Sequence, residues 1–305
     1  MPTTTQPARP AALWHLRSRT LEIGRRTLVM GIVNLTPDSF SDGGAVPTPQ
    51  HAIDHALRLL DEGADILDLG AESTRPGSHA GGPDAAVTAA EEQSRLLPVL
   101  EGILRARPGT LLSIDTYKAA TARVALAAGA EIINDVSGFA WDLGMPAVCA
   151  EDPCGVILMH TRGRPDEWSE QSRLAPDALV VSVRSGLSDS LAAAAHAGIA
   201  ADRIVLDPGY GFGKCGDENY ALLARQHELL ALGRPLLAGL SRKSFLGQTL
   251  QEFHSGQPAP VTSRETASIA ALVAAILNGA SIVRVHSVRP AAEASRIADA
   301  ILIAQ

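Results

Sequence analysis

Asn34, Asp115, Asn134, Asp207, Lys243, Arg284 and His286 stand at or just past the ends of short apolar runs spread along a 305-residue chain. Their side chains divide into two chemistries. Asp115, Asn134 and Asp207 are hydrogen-bonding groups suited to a flat heterocycle with several N–H donors, and an asparagine supplies both a donor and an acceptor. Lys243, Arg284, His286 and Arg75 are cationic or become so on protonation, which suits phosphate and carboxylate. The set describes a site with a heterocycle floor and a rim for anions. One polar residue at one strand end is explained equally well by a wet loop. The whole set is not, because such groups are costly near strand ends unless paired or used.

The motifs around these residues refine that picture. "LSRKSFLG" (240–247) reads as a strand-to-helix turn. Ser244 there suits a helix cap, and free N–H groups beside Arg242 and Lys243 suit an anion. "DPGYGFGK" (207–214) sets an acid before glycines that let backbone approach a ligand, and Phe212 adds an apolar face. His160 and His286 lack HxH or HExxH spacing, so they do not indicate zinc. Asn34 offers one neutral oxygen, enough for Mg2+ only where phosphates and water supply the other ligands.

To bring these residues together the chain must deliver its strand ends to one place. Eight apolar runs, at 27–34, 64–70, 110–115, 130–135, 155–160, 203–207, 234–241 and 281–286, are rich in Ile, Leu and Val without strict alternation. That is the pattern of parallel strands buried on both faces. Amphipathic segments at 51–64, 117–130 and 263–280 lie between them, with Gly63, Gly129 and Gly279 where helix C-termini favour a left-handed residue. The repetition predicts an α/β fold, a single-domain (β/α)8 TIM barrel over 23–305 after an N-terminal extension over 1–22, with strand ends converging on one mouth. A doubly wound open sheet competes, but no GxGxxG fingerprint follows the first run.

Composition excludes several classes. The formal charge is −7 with both signs interspersed, and without a basic stripe nucleic acid is not an expected partner. No apolar stretch reaches the roughly 20 residues of a membrane span. Three cysteines without zinc or redox spacing fit a reducing compartment, and no signal-peptide layout opens the chain. The expectation is a soluble, cytoplasmic protein.

The segments "MGIVNLTPDSFSDGG", "DLGAESTRPGS", "SIDTYKA", "EIINDVSGF", "VILMHTRG", "IVLDPGYGFGK", "LLAGLSRKSFLG" and "VRVHSV" occur in this order over about residues 28–288. On these the chain closely resembles the dihydropteroate synthase family of folate biosynthesis. The resemblance implies a transferase that joins 6-hydroxymethyl-7,8-dihydropterin diphosphate to 4-aminobenzoate and releases pyrophosphate. It makes Asp115, Lys243 and Arg284 the catalytic set. Asp115, Asn134, Asp207 and Lys243 would hold the pterin, with Met159 and Phe212 lining its slot. Thr74, Arg284 and His286 match positions for the diphosphate, and Asn34 the position that helps hold Mg2+. Phe40, Arg75 and Pro76, on loops 36–46 and 71–80, would enclose the aminobenzoate ring, and Ser244 would meet its carboxylate. The resemblance also implies a homodimer, with the Ala-rich helix 263–278 as a surface, and sensitivity to sulfonamides. One departure stands out: Ser287 follows His286 where many members carry Asp.

Two other readings compete. One is a related pterin-binding methyltransferase domain that serves a corrinoid protein, against which the "SRKSF" turn and "STRPG" loop argue. The other is a non-catalytic paralogue, against which Asn34, Asp115, Lys243 and Arg284 argue.

Overall fold

The computed structural model describes residues 9, 11–36, 48–74, 77–82 and 86–304. An antiparallel hairpin, β1 (Ala12–His15) and β2 (Thr20–Ile23), precedes eight further strands. These are β3 (Leu28–Asn34), β4 (Ile66–Gly70), β5 (Leu112–Asp115), β6 (Ile132–Asp135), β7 (Gly155–Met159), β8 (Ile204–Asp207), β9 (Leu236–Ala238) and β10 (Ala280–Val285). They close into a barrel in the order β10-β3-β4-β5-β6-β7-β8-β9, and every pair is parallel. All eight predicted runs are strands, and the fold is the expected (β/α)8 barrel.

Helices α1 (Pro49–Asp61), α2 (Ala89–Ala106), α3 (Ala119–Ala127), α4 (Met145–Glu151), α5 (Pro176–His196), α6 (Glu218–Ala224), α7 (Ser244–Thr249), α8 (Glu265–Leu277) and α9 (Val288–Ile303) surround it. Local chemistry sets their limits. Pro49 occupies the first turn of α1, where a missing N–H removes no helical bond. Thr88 caps α2 by accepting from the Glu91 amide at 3.2 Å. Gly63, Gly129 and Gly279 take the left-handed φ expected of them.

Residues 12–22, within the expected N-terminal extension, form with Ile23 a hairpin that packs onto the barrel. Trp14, Leu16 and Ile23 are buried against Leu28, Met30, Ile66, Leu111, Ile132, Ile157, Val205, Leu237 and Ile282, filling the N-terminal end of the barrel. The Trp14 indole donates to the Arg203 carbonyl at 2.9 Å. Gly155 opens β7 because a Cβ there would lie 2.4 Å from Leu16 and 3.0 Å from the Trp14 ring. The strands around Trp14 are only four residues each, too short for an alternation to show, which is why the sequence hides this plug.

Candidate active site

Side chains alternate along each strand, and one face of every barrel strand points inward. Ile66, Ile132, Ile157, Val205, Leu237 and Ile282 form the lower apolar tier. Two residues further along the same strands, on the same face, come Asp68, Asn134, Met159, Asp207, Gly239 and Arg284. The other face, with Val33, Leu67, Leu69, Leu112, Ile114, Ile133, Leu158, Leu206 and Val283, packs among the helices. The barrel interior therefore changes from hydrocarbon to largely polar within one tier, and Asn134, Met159, Asp207 and Arg284 of the predicted residues lie in it.

Pairing register brings the tier together. Asp115 is paired with Asn134 across β5 and β6, and Met159 with Asp207 across β7 and β8. Arg284 crosses the interior from β10, with Nε donating to Asp68 Oδ2 at 2.6 Å and Nη2 to Asp115 Oδ2 at 2.6 Å. Asn134 Nδ2 donates to the same Asp68 oxygen at 3.0 Å. Burial lifts the Asp115 carboxyl to about 7, with the Arg284 charge opposing.

The glycine turn after β8 supplies the opposite wall. Asp207 Oδ1 accepts from the Gly209 amide at 2.7 Å. Gly209 has φ +70°, and a Cβ on it would fall 1.9 Å from the His160 carbonyl oxygen, so no larger residue fits. Lys214 is buried, and its ammonium donates to the carbonyls of Gly209 at 2.7 Å, His160 at 3.1 Å and Phe212 at 3.2 Å. Lys243 Nζ lies 4.0 Å from the Phe212 ring centre. Burial lowers the Lys243 ammonium to about 8, with Asp207 opposing. Met159, Phe212, Tyr117, Val136 and Trp141 belong to an apolar cluster at this mouth.

Arg242 aims the turn that presents Lys243. It has φ +60°, in the left-handed region that a side chain adopts only at a cost. Three contacts hold it there. Its amide donates to Ser268 Oγ at 2.9 Å, its carbonyl accepts from Arg264 at 3.0 Å, and its Nη2 donates to Ser287 Oγ at 3.2 Å. Ser287 in turn donates to Glu265 Oε2 at 2.8 Å. His286 Nδ1 and Ser241 Oγ lie 3.0 Å apart. Ser244 is exposed at the first position of α7, whose N-cap is Lys243, with no side-chain cap bond; the capping role expected of Ser244 is absent.

The loop after β4 is pinned from below. Lys118 pairs with Glu72 and lies 3.3 Å from the buried Glu92, and Glu72 Oε1 accepts from the Val87 amide at 3.1 Å. Thr74 is half-buried on this loop. Phe40, Arg75 and Pro76 lie outside the described residues. Asn34 ends β3, half-buried, in register with Gly70. Among the described residues no cluster of three or more His, Cys, Asp or Glu could hold a metal ion. A single amide oxygen at the mouth fits a Mg2+ that substrate oxygens and water otherwise surround.

Two strand-end polar residues face away from the mouth. Asp135 accepts from the amides of Ser137 at 2.8 Å and Phe139 at 2.9 Å, shaping its own loop. His160 is buried, and its ring meets Gly186 of α5. Sequence reasoning missed Asp68 and Lys214. The signal for Asp68 was present in "ILDLG", since a carboxylate inside a buried strand needs a partner.

A family described as pterin binding enzymes matches residues 30–286. The dihydropteroate synthase of Synechocystis sp. is 41% identical over 278 residues, covering 91% of each chain. A solved Yersinia pestis dihydropteroate synthase with a sulfonamide drug is 39% identical, covering 96% of this chain and 100% of that one, with a TM-score of 0.85. A Burkholderia cenocepacia dihydropteroate synthase complexed with 7,8-dihydropteroate is 40% identical, covering 96% and 98%, with a TM-score of 0.80. With this barrel and this likeness along nearly its whole length, the chain belongs to the dihydropteroate synthase family of pterin-binding enzymes.

Proposed function

We propose that the barrel mouth joins 6-hydroxymethyl-7,8-dihydropterin diphosphate to 4-aminobenzoate, giving 7,8-dihydropteroate and pyrophosphate for folate synthesis. The observation that carries this reading is the convergence of Asp115, Asn134, Asp207 and Arg284 on one polar tier, with Lys243 braced beside Phe212.

In this reading Asp115, Asn134, Asp207 and Lys243 grip the pterin edge-on between Met159 and Phe212. Arg284, His286 and Thr74 take the diphosphate. Phe40, Arg75 and Pro76 close over the aminobenzoate, and Ser244 meets its carboxylate. A sulfonamide would compete for that second pocket. The bond from the pterin methylene carbon to the diphosphate oxygen breaks, and both electrons leave with pyrophosphate. Positive charge spreads into the pterin ring, where the Asp115 carboxylate stabilises it while Arg284 stabilises the departing anion. The aromatic amine forms the new C–N bond, and the acidic protonated amine that results passes its proton to the released pyrophosphate or to water, so no strong general base is required. A Mg2+ held by Asn34 and substrate oxygens would supply further charge neutralisation to the leaving group.

Two broader proposals accompany this one. After Glu265, α8 carries no charged residue while Ala270 is exposed, which supports that helix as a homodimer surface testable by light scattering. No helix among the described residues is long and apolar enough to cross a membrane, and the cysteines are free, in keeping with a cytoplasmic enzyme.

The deciding assay incubates purified protein with the pterin diphosphate, 4-aminobenzoate and Mg2+. Equimolar pyrophosphate and dihydropteroate are expected. Absence of both overturns the reading, and tight methyl-tetrahydrofolate binding alongside that absence would favour methyl transfer.

A further inference from the structure

We propose that Asp68 is the positioning residue of this site, setting which face the Asn134 amide shows to the pterin and the angle at which Arg284 meets the diphosphate. The proposal rests on the pterin reading above.

Asp68 is fully buried on β4, below the strand end. Its Oδ2 accepts from Arg284 Nε at 2.6 Å and from Asn134 Nδ2 at 3.0 Å. Its Oδ1 is buried with no partner among the described residues, so the hold on both neighbours passes through one oxygen. In the closed order β10-β3-β4-β5-β6, that oxygen ties β4 to strands two places away on either side.

The chemistry of the donors makes this tie directional. A carboxylate accepts only, and the sole donor on an asparagine side chain is its NH2. With that NH2 turned down to Asp68, the Asn134 carbonyl oxygen faces the other way, toward the ligand. Asn134 therefore joins Asp115 and Asp207 as a third acceptor, and the floor reads a ring edge made of N–H and NH2 donors. On Arg284, Nε and one N–H of Nη2 are committed to Asp68 and Asp115, which leaves Nη1 and the second Nη2 hydrogen for an anion. Asp68 thus supports both recognition elements without meeting the reacting atoms.

The isosteric variant Asp68→Asn separates this role from bulk packing. The introduced amide can offer its own NH2 to the Asn134 oxygen, which lets the Asn134 side chain turn and show a donor to the ligand. Titrations of the full chain would compare three ligands: pterin diphosphate, the unphosphorylated hydroxymethylpterin, and an analogue with the ring NH2 replaced by a carbonyl. Wild type is expected to prefer the amino form, and Asp68→Asn to lose at least ten-fold of that preference. Affinity for the diphosphate should fall further than for the unphosphorylated ring. The melting temperature should fall, since a buried ion pair loses its charge, but the KM for 4-aminobenzoate should stay near wild type. Unchanged amino-over-carbonyl preference in a folded variant overturns the proposal, as does an equal loss toward 4-aminobenzoate. Should Asp68→Asn not fold, Asp68→Ser is read by the same ratio with the same two outcomes. A wild-type chain that binds no pterin fails the earlier reading. A binding wild type matched by Asp68→Asn fails only this one.

Discussion

Lys243 carries its ammonium 4.0 Å from the centre of the Phe212 ring, so a wall of the slot also braces the cation that faces it. Phe212→Leu keeps an apolar wall and removes the ring. Loss of a partly desolvated cation–ring contact is worth about 0.5–2 kcal/mol, or roughly two- to thirty-fold in Kd. Calorimetric titration with pterin diphosphate should show that weakening; an unchanged Kd would detach the contact from binding.

Burial brings Lys243 from its ordinary value down to about 8. A depressed lysine contributes stability that is present above its unfolded value of about 10.4 and is lost as pH falls through about 8. Below that pH the empty site carries the desolvation cost of a half-buried charge, partly offset by Asp207. Lys243→Met should therefore raise the melting temperature at pH 7, with the gain shrinking as pH approaches 10, while activity is lost. A melting curve that drops at pH 7 and stays down at pH 10 would contradict this.

Ser287 stands where the resemblance implies Asp in many members, and a carboxylate from another element already lies there. Glu265 Oε2 accepts from Ser287 Oγ at 2.8 Å, and Arg242 reaches Ser287 as well. Ser287→Asp alone would set two carboxylates against each other, so restoring the family residue should lower stability and kcat/KM. Combining it with Glu265→Gln should recover both, with a coupling of about 1 kcal/mol or more in a double-mutant cycle. Additive effects would show that the three side chains do not act together.

Two glycines with similar φ make a controlled comparison. A Cβ on Gly209 collides with the His160 carbonyl oxygen, while one on Gly198 (φ +84°) meets nothing within 4 Å. Gly198→Ala bears only the backbone cost, about 1–2 kcal/mol. Gly209→Ala must also displace the Asp207 turn and is expected to cost more than about 4 kcal/mol, in the range reserved for severe core damage. Chemical denaturation of both variants tests the difference.

The barrel was legible because buried parallel strands announce themselves as apolar runs, and because "DPGYGFGK" and "LSRKSFLG" put polar groups at their ends. Strand ends were read within a few residues, and Asn134, chosen over its neighbour Asp135, lies in the polar tier. What stayed hidden depends on depth rather than on sequence position. Asp68 lies below the strand end, so no rule about loops points to it. Lys214 looks like a loop cation until its three carbonyl partners are seen. Trp14 belongs to a hairpin whose strands are four residues each, too short to show a period.

Trp14 gives the sharpest stability test. Removing a fully buried indole costs about 3–5 kcal/mol, so Trp14→Ala should melt well below wild type. At a temperature where it is folded, its KM for either substrate should be unaltered, because the plug lies at the opposite end from the mouth. A changed KM would mean that the two ends are mechanically linked.

With Trp14, Leu16 and Ile23 stoppering one end, traffic through this barrel runs by a single doorway. On the proposed reading, a ring seated on the polar tier would enter before the aminobenzoate, and the joined product would back out with its pterin half last. Queueing order thus follows from a cork at the far end, folded from residues that precede every stave of the barrel.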